Sequence, residues 1–369
     1  MDIIRTLLTA SLLTASLDGD PAAATDSFRR ALKRATPLEW EKALENLKLH
    51  KVLPLIGYVV SKGSFQDAIP DQAVNTVRNA YKKTLLTNTV ILTIVGQVVR
   101  ALRRQNVEPT LFKGVVLADS FYPDPGTRAM VDVDVLIRPG EQEKVASALE
   151  ALGFKNVHHP DPGDAVYYGN QYGVLLDVHY LFRIFENKEP KSLTVDLRPK
   201  HIDLPTLRVW EPNAMLIHLV THLEAHRGEH GYRLSWIMDL GFLIRRWGDR
   251  LEWQKLRFLA RDERSLLGVV RLLRFLDREL GVPVPATIAA YCRNVRPLSL
   301  GAVLRSVRLA PWGLPGPRGW ARLIASRLGL ASRRNRPYPK LSDLLLWPVD
   351  LAFEKAIPGK IARPASTRT

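Results

Sequence analysis

Cysteine is almost missing from this chain of 369 residues, which carries only Cys292. That excludes an internal disulfide and a cysteine zinc cluster, and it suits a reducing, cytoplasmic setting. Also missing are Gly-x-Gly-x-x-Gly, Walker A, nucleophile-elbow and Cys-x-x-Cys patterns, so no local signature points to a dinucleotide fold, a P-loop enzyme, an α/β-hydrolase or a thiol redox protein. Long apolar runs are missing too: the best, Thr89 to Val99, is shorter than a membrane span. The start, Met1-Asp-Ile-Ile-Arg-Thr-Leu-Leu, lacks the basic flank and continuous apolar stretch of a signal peptide and reads as an amphipathic helix. Acidic residues are outnumbered 37 to 53 by Lys and Arg, for a net charge of +16. Most of that excess sits from Arg293 to Thr369, where 15 Lys and Arg face 3 acids, a net +12.

What is present describes a folded protein. Apolar residues make up 46% and charged residues 24% of a chain long enough for two or three domains. Apolar spacings of three and four predict helices through an N-terminal region, residues 1–105, punctuated by Pro21, Pro54 and Pro70. Residues 106–210 change character to short β-rich runs, with a helix from about Glu141 to Leu152 ended by Gly153 and turns at Pro123-Asp-Pro-Gly126 and Pro160-Asp-Pro-Gly163. Helical spacing returns over 211–292, with a break at Gly281-Val-Pro-Val-Pro285. The basic, Pro- and Arg-rich remainder, 293–369, holds short helical pieces such as Leu341 to Ala356. There is no internal repeat. The expected class is α+β: a β-rich segment flanked by helical regions on both sides in sequence.

The most definite chemistry lies in that β-rich segment. In Val131-Asp-Val-Asp-Val135, alternation along a strand puts Asp132 and Asp134 on one face and Val131, Val133 and Val135 on the other, facing a core. Two carboxylates held side by side raise each other's pKa unless a cation joins them. Downstream, Gly173-Val-Leu-Leu-Asp-Val-His-Tyr180 places Leu175, Asp177 and His179 on one face, so Asp177 can complete a three-carboxylate cluster if the strands are neighbours. Oxygen donors of this kind suit Mg²⁺, with Mn²⁺ as the alternative, and two ions would serve the attacking and leaving oxygens of a displacement. The same acids on a sheet edge would otherwise be a solvated rim.

Read in order, Phe112-Lys-Gly114, Tyr122, Asp124-Pro-Gly126, Arg128, Asp132-Val-Asp134, Leu152-Gly-Phe154 and Asp177-Val-His179 resemble the DNA polymerase β-like nucleotidyltransferase superfamily, in its uncharacterised branch. The resemblance covers roughly residues 50 to 250. It implies a small mixed sheet with helices, and a Mg²⁺-dependent enzyme that moves a nucleotidyl group from an NTP, ATP by default, to an acceptor with release of pyrophosphate. By position, Asp132 and Asp134 match the paired metal ligands and Asp177 the third acid, which activates the acceptor hydroxyl. Lys113-Gly114 stands where most of the superfamily has Gly-Ser or Gly-Gly before a helix. Glycine lets backbone approach phosphate, the helix start at Val115 to Ser120 offers free amides, and Lys113 replaces the lost hydroxyl by charge. Arg128 is expected to grip the triphosphate, or else to fix its loop by pairing with Asp124 or Asp132. His179 either orients Asp177, touches substrate or is a hydrogen-bonded structural histidine. The resemblance also implies that His222, His226, Trp236 and Asp239 wall the nucleotide or acceptor pocket.

Two rival readings remain. His218, His222 and His226 recur every four residues, as helical zinc ligands would, although Leu216, Leu219 and Leu223 mark that helix as core-forming. The basic C-terminal region, with Trp312, Trp320 and Trp347, suits nucleic acid, an anionic partner or an anionic membrane surface. That alternative makes the protein a non-catalytic scaffold on a degenerate transferase fold, peripherally attached to a membrane or bound to nucleic acid. The acceptor, whether small molecule, peptide, protein or RNA, is not written in the residues.

Overall fold

The computed structural model describes residues 2–14, 21–62, 66–157, 165–180, 193–260, 263–292, 295 and 297–309. The chain divides into two compact units, Met1–Gly313 and Leu314–Thr369, and every described residue belongs to the first. Trp312, Trp320, Trp347 and the helix expected from Leu341 to Ala356 lie outside the described residues.

Among the described residues, five helices come first: α1 (Asp2–Thr14), α2 (Pro21–Lys33), α3 (Pro37–Leu49), α4 (Leu53–Ser61) and α5 (Asp71–Arg104). The start of α3 shows how directly local chemistry sets a boundary. Thr36 accepts from the Glu39 amide at 3.3 Å while the Glu39 carboxylate accepts from the Thr36 amide at 2.8 Å, and Pro37 fills the first helical position where no N–H is needed. Helix α5 runs 34 residues and buries Val74, Val77, Ile91, Leu92, Val95, Val98, Val99 and Leu102 on one stripe. By length and composition alone α5 could cross a bilayer, and half of its most apolar window is buried inside the fold.

Seven strands follow among the described residues: β1 (Thr110–Phe112), β2 (Val133–Leu136), β3 (Lys155–Val157), β4 (Ala165–Gly169), β5 (Leu175–His179), β6 (Thr194–Leu197) and β7 (Leu207–Trp210). They form one sheet in the order β3-β4-β5-β2-β1-β7-β6. It is mixed: β2 with β5 and β1 with β7 are parallel, the other pairs antiparallel. Between β1 and β2 the chain makes the short helix α6 (Gly114–Val116), a π turn over Leu117–Phe121 and a 3-10 turn over Pro125–Thr127. Helix α7 (Gln142–Ala151) links β2 to β3, and Gly153, with φ +79°, ends it as the sequence predicts. The remaining helices are α8 (Pro212–His230), α9 (Leu234–Trp247), α10 (Trp253–Leu259), α11 (Glu263–Leu280), α12 (Ala286–Cys292) and α13 (Leu300–Leu309).

One hydrophobic cluster runs through the unit, from Ile3 in α1 through Leu111, Val135 and Leu176 in the sheet to Leu276 in α11 and Val303 in α13. Val133 and Val135 are in it, each 1% exposed, but Val131 is 64% exposed. Strand β2 begins only at Val133, so the alternation expected from Val131 fails there and Asp132 sits just ahead of the strand. The turn before it is held from outside the sheet. Buried Asn88 of α5 donates to the carbonyls of Pro125 at 2.5 Å and Arg128 at 2.7 Å, and the Asp124 carboxylate accepts from the Gly126 amide at 2.8 Å. Gly126 is required by closeness: a Cβ there would stand 2.6 Å from the Tyr81 ring.

Candidate active site

The centre of the sheet decides which side chains meet. Parallel pairing of β2 and β5 puts Asp134 opposite Asp177 and Leu136 opposite His179, so residues of matching parity share a face. On the other side β1 pairs Phe112 with Asp134, which delivers Lys113, the next residue, to the same place. Phe112 forms the floor: it is fully buried, with its ring centroid 5.4 Å from that of His179 and 5.3 Å from that of His218. Lys113 adopts φ 50° and ψ −124°, a conformation a glycine would take freely and one that costs other residues about 1–3 kcal/mol.

The ammonium of Lys113 donates to Oδ1 of Asp134 at 2.6 Å. Nε2 of His179 lies 3.1 Å from Oδ2 of Asp177 and 3.7 Å from Oδ1 of Asp134. The Tyr167 hydroxyl, from β4, donates to Oδ2 of Asp177 at 3.1 Å, while Oδ1 of Asp177 is buried with no hydrogen-bond partner. Burial alone would raise the Asp134 carboxyl, but the Lys113 charge and the nearby His179 imidazole overcome it and hold that carboxyl well below the usual range. His179 shows the converse balance: burial pulls its pKa down, and the two carboxylates beside it, Asp134 and Asp177, more than restore it, leaving it raised. Asp132 is raised by burial and by the Asp134 charge, which places it within the field of the pair.

Donor atoms of Asp134, Asp177 and His179 all lie within 4.8 Å of one another, and among the described residues no other group of His, Cys, Asp or Glu is so arranged. The three α8 histidines do not make such a group. A buried, orphaned carboxylate oxygen beside a second carboxylate and an imidazole is what a divalent cation completes.

Arg128 stands next to this cluster in an arrangement neither reading of the sequence anticipates. Its Nε and one terminal nitrogen donate to the two oxygens of Asp239, each at 2.7 Å, and Asp239 is only 1% exposed. The Tyr122 hydroxyl donates to the same carboxylate at 2.8 Å. Asp239 raises the Arg128 guanidinium above its ordinary value against the opposing pull of burial. Nη1, the nitrogen left over, faces Gly114, where a Cβ would come within 2.9 Å of it. Gly114 therefore lets a charged nitrogen lie against the backbone just behind Lys113. Asp239, expected to wall the pocket, instead holds Arg128 from behind.

His222 and His226 line a ladder of imidazoles on α8. Ring centroids from His218 through His222, His226 and His230 are spaced 6.3, 4.6 and 6.0 Å. Trp236 of α9 packs against three of them, 5.1 Å from His222, 6.2 Å from His226 and 5.9 Å from His230. Burial, followed by the nearby Lys113 charge, pulls His222 down to about 3, so it is neutral near pH 7. The same causes hold His218 well below its ordinary value.

The model for the family of uncharacterised nucleotidyltransferases matches residues 36–280, about two thirds of the chain. The chain belongs to that family. This nucleotidyltransferase has the mixed sheet with flanking helices that its sequence predicts, and a transferase class and a divalent-metal site are the coarse functional statements that membership carries. Three solved structures are similar at a low level. The solution structure of the antibiotic-resistance factor ANT(2'')-Ia is 16% identical, covering 48% of this chain and 94% of that one, with a TM-score of 0.36. A crystal structure of ANT(2'')-Ia in complex with adenylyl-2''-tobramycin is 14% identical, covering 46% and 94%, with a TM-score of 0.36. An antigenic nucleotidyltransferase-like protein from Paracoccidioides brasiliensis is 14% identical, covering 55% and 96%, with a TM-score of 0.37. No curated protein matches the chain.

Sequence reasoning missed Tyr167, Asn88 and the partner of Arg128. Tyr167 carries a faint signal, since Ala165 to Gly169 alternates like a strand and Tyr167 falls opposite Asp177 once β4 and β5 are paired. Asn88 and the pairing of Arg128 with Asp239 span separations of 40 and 111 residues, for which one sequence holds no signal.

Proposed function

We propose that this nucleotidyltransferase moves an NMP group from an NTP, with ATP the default donor, to an oxygen of an acceptor, releasing pyrophosphate in a Mg²⁺-dependent reaction. The observation that carries the reading is the opposed pair Asp134 and Asp177 on adjacent parallel strands, with a buried oxygen of Asp177 lacking any partner. A degenerate site would have no reason to keep that cost, which is about 1–3 kcal/mol for an unsatisfied buried acceptor and more for a charged one.

Asp134 and Asp177 would hold the metal with His179 beside them, while Asp132, expected as the first of the paired ligands, lies outside that group of donors and adds its charge to the field of the site. Two carboxylates together with substrate phosphates suit Mg²⁺, and the imidazole leaves Mn²⁺ as an alternative. The ion, when bound, neutralises phosphate charge and lowers the pKa of an attacking hydroxyl. Asp177, which already accepts a hydrogen bond from the Tyr167 hydroxyl, would accept one from that attacking hydroxyl and take its proton as the new bond to phosphorus forms. Lys113, released from Asp134, carries its charge onto the phosphates, and Nη1 of Arg128 meets them above Gly114, held in place by Asp239. Catalysis of this kind is mostly positioning and charge neutralisation.

The test is to incubate the full chain with each α-labelled NTP, Mg²⁺ and host extract, and to follow label into any acceptor. Wild type labels a species; Asp134→Asn and Asp177→Asn fold but do not. Failure of every NTP to bind or transfer in the wild type would sink the proposal.

A further inference from the structure

A second cationic site lies at the mouth of the cluster, built from two elements far apart in sequence. His50, fully buried at the end of α3, accepts the Leu234 amide on Nδ1 at 3.1 Å, and its carbonyl accepts the Ser235 amide at 3.2 Å. These bonds bolt the corner between α3 and α4 to the start of α9. Lys51 follows in the left-handed region, with φ 57°, and Arg233 is the residue that precedes α9, so the same two backbone bonds bring both to one corner. The Arg233 guanidinium lies over the Trp236 ring, 5.1 Å from its centroid, on the ring that His222, His226 and His230 also touch.

Neither cation has a carboxylate partner: among the described residues no acid lies within ion-pair distance of Lys51 or Arg233, and Nε of Arg233 is buried without a hydrogen bond. They act on each other instead. Partial desolvation, and next the charge of Arg233, holds the Lys51 ammonium below the usual lysine range, with Asp132 the one acid that opposes this. Two cations brought to one corner, one with an orphaned donor, offer an anion charge and donors that no carboxylate there competes for. Ring contacts lead from Arg233 over Trp236 through His222 and His218 to Phe112, the floor of the carboxylate cluster, whereas Lys113 and Gly114 follow β1.

We infer that Lys51 and Arg233 form an anion subsite that takes a phosphate or carboxylate group of the acceptor, with Trp236 as its apolar wall, so that the acceptor is an anionic molecule rather than a polyamine. This rests on the nucleotidyl-transfer reading above, in which Lys113 and Arg128 are already engaged by the triphosphate. The Arg233 fork suits either anion, because both present paired oxygens to its planar donors.

The test uses the full chain with Mg²⁺ and a saturating non-hydrolysable ATP analogue, titrated calorimetrically with inorganic phosphate as the probe. Acetate and an amine-bearing sugar serve as comparison arms. In Lys51→Gln/Arg233→Gln, phosphate affinity should fall roughly tenfold or more, the loss expected from charge-assisted bonds, while affinity for the ATP analogue changes by less than about threefold. Lys51→Arg, which keeps the charge, should retain most phosphate binding, and melting curves should show every variant folded at the assay temperature. The inference is overturned if the double variant binds phosphate like the wild type, if the wild type prefers the amine-bearing sugar, or if analogue affinity falls as far as phosphate affinity, which would give the pair to the triphosphate tail. If the ATP analogue fails to bind yet phosphate binds through the pair, the nucleotide reading fails and the anion subsite stands.

Discussion

Asp239→Asn tests whether Arg128 is placed by a buried partner or simply rests at the surface of the site. Asp239 accepts three hydrogen bonds, from Tyr122 and twice from Arg128, and all three run between 2.7 and 2.8 Å. The side chains of Arg128 and Asp239 are 13% and 1% exposed, so little water can replace a lost partner. Asparagine keeps the shape, removes the charge and turns an NH₂ group toward a guanidinium nitrogen that also donates. Leaving a buried charge without its counter-ion costs about 3–5 kcal/mol, roughly a fifth or more of the ~5–15 kcal/mol that holds a typical domain. Urea unfolding should show that loss as a lower midpoint. Removing the charge that needed compensation should recover part of it, so Arg128→Met/Asp239→Asn should be destabilised by at least ~2 kcal/mol less than the sum of the two single changes. Nucleotide affinity should fall in Asp239→Asn even where the protein is fully folded, since Nη1 no longer has a fixed place against Gly114. Additivity within ~0.5 kcal/mol, or a single-variant cost under ~1 kcal/mol, would refute the argument that the pair is a desolvated, coupled unit.

Lys113→Met removes the cation that now bridges Asp134 at 2.6 Å; divalent binding, followed by Mn²⁺ paramagnetic resonance, should tighten while NTP affinity weakens, each by on the order of tenfold. Gly57→Ala would place a Cβ 2.1 Å from the Val77 carbonyl oxygen and 2.7 Å from the Tyr81 Cβ, which only a shift of α4 from α5 can relieve, so denaturant titration should show a loss of ~2 kcal/mol or more. His222 contributes an acid sensitivity whose sign is set by its depressed pKa of about 3. Between that value and the ordinary histidine range the unfolded chain binds a proton the folded chain refuses, so stability is full above ~pH 6.5 and is lost as pH falls, by at most ~2 kcal/mol at pH 5. His222→Gln should flatten the fall in midpoint between pH 7 and 5; an unchanged slope would mean His222 is not the group responsible.

The acids were legible because their face depends on strand parity alone, and parity survives any arrangement of the sheet. Asp177 and His179 share a face for that reason, and the end of α7 at Gly153 and the start of α8 at Pro212 follow from equally local chemistry. Reasoning from alternation failed at Val131, which precedes β2 and is exposed, because where a strand begins depends on its neighbours' pairing as much as on its own residues. The histidine spacing was read correctly as one helix face, yet only packing against Trp236 and the Phe112 floor shows how that face is used.

What the sequence by itself determined is the set of elements, the two candidate acid strands and the ordered pattern that marks a nucleotidyltransferase. Tertiary structure decided who meets whom: that β2 and β5 are adjacent and in register, that Lys113 ends on Asp134, that Arg128 is clamped by Asp239 and that His50 is bonded to the start of α9. The division has a physical reason. Periodicity, caps and turns are set by interactions within a few residues. Ion pairs between strands and helices tens or hundreds of residues apart depend instead on how the whole chain buries its apolar faces, which no local pattern encodes.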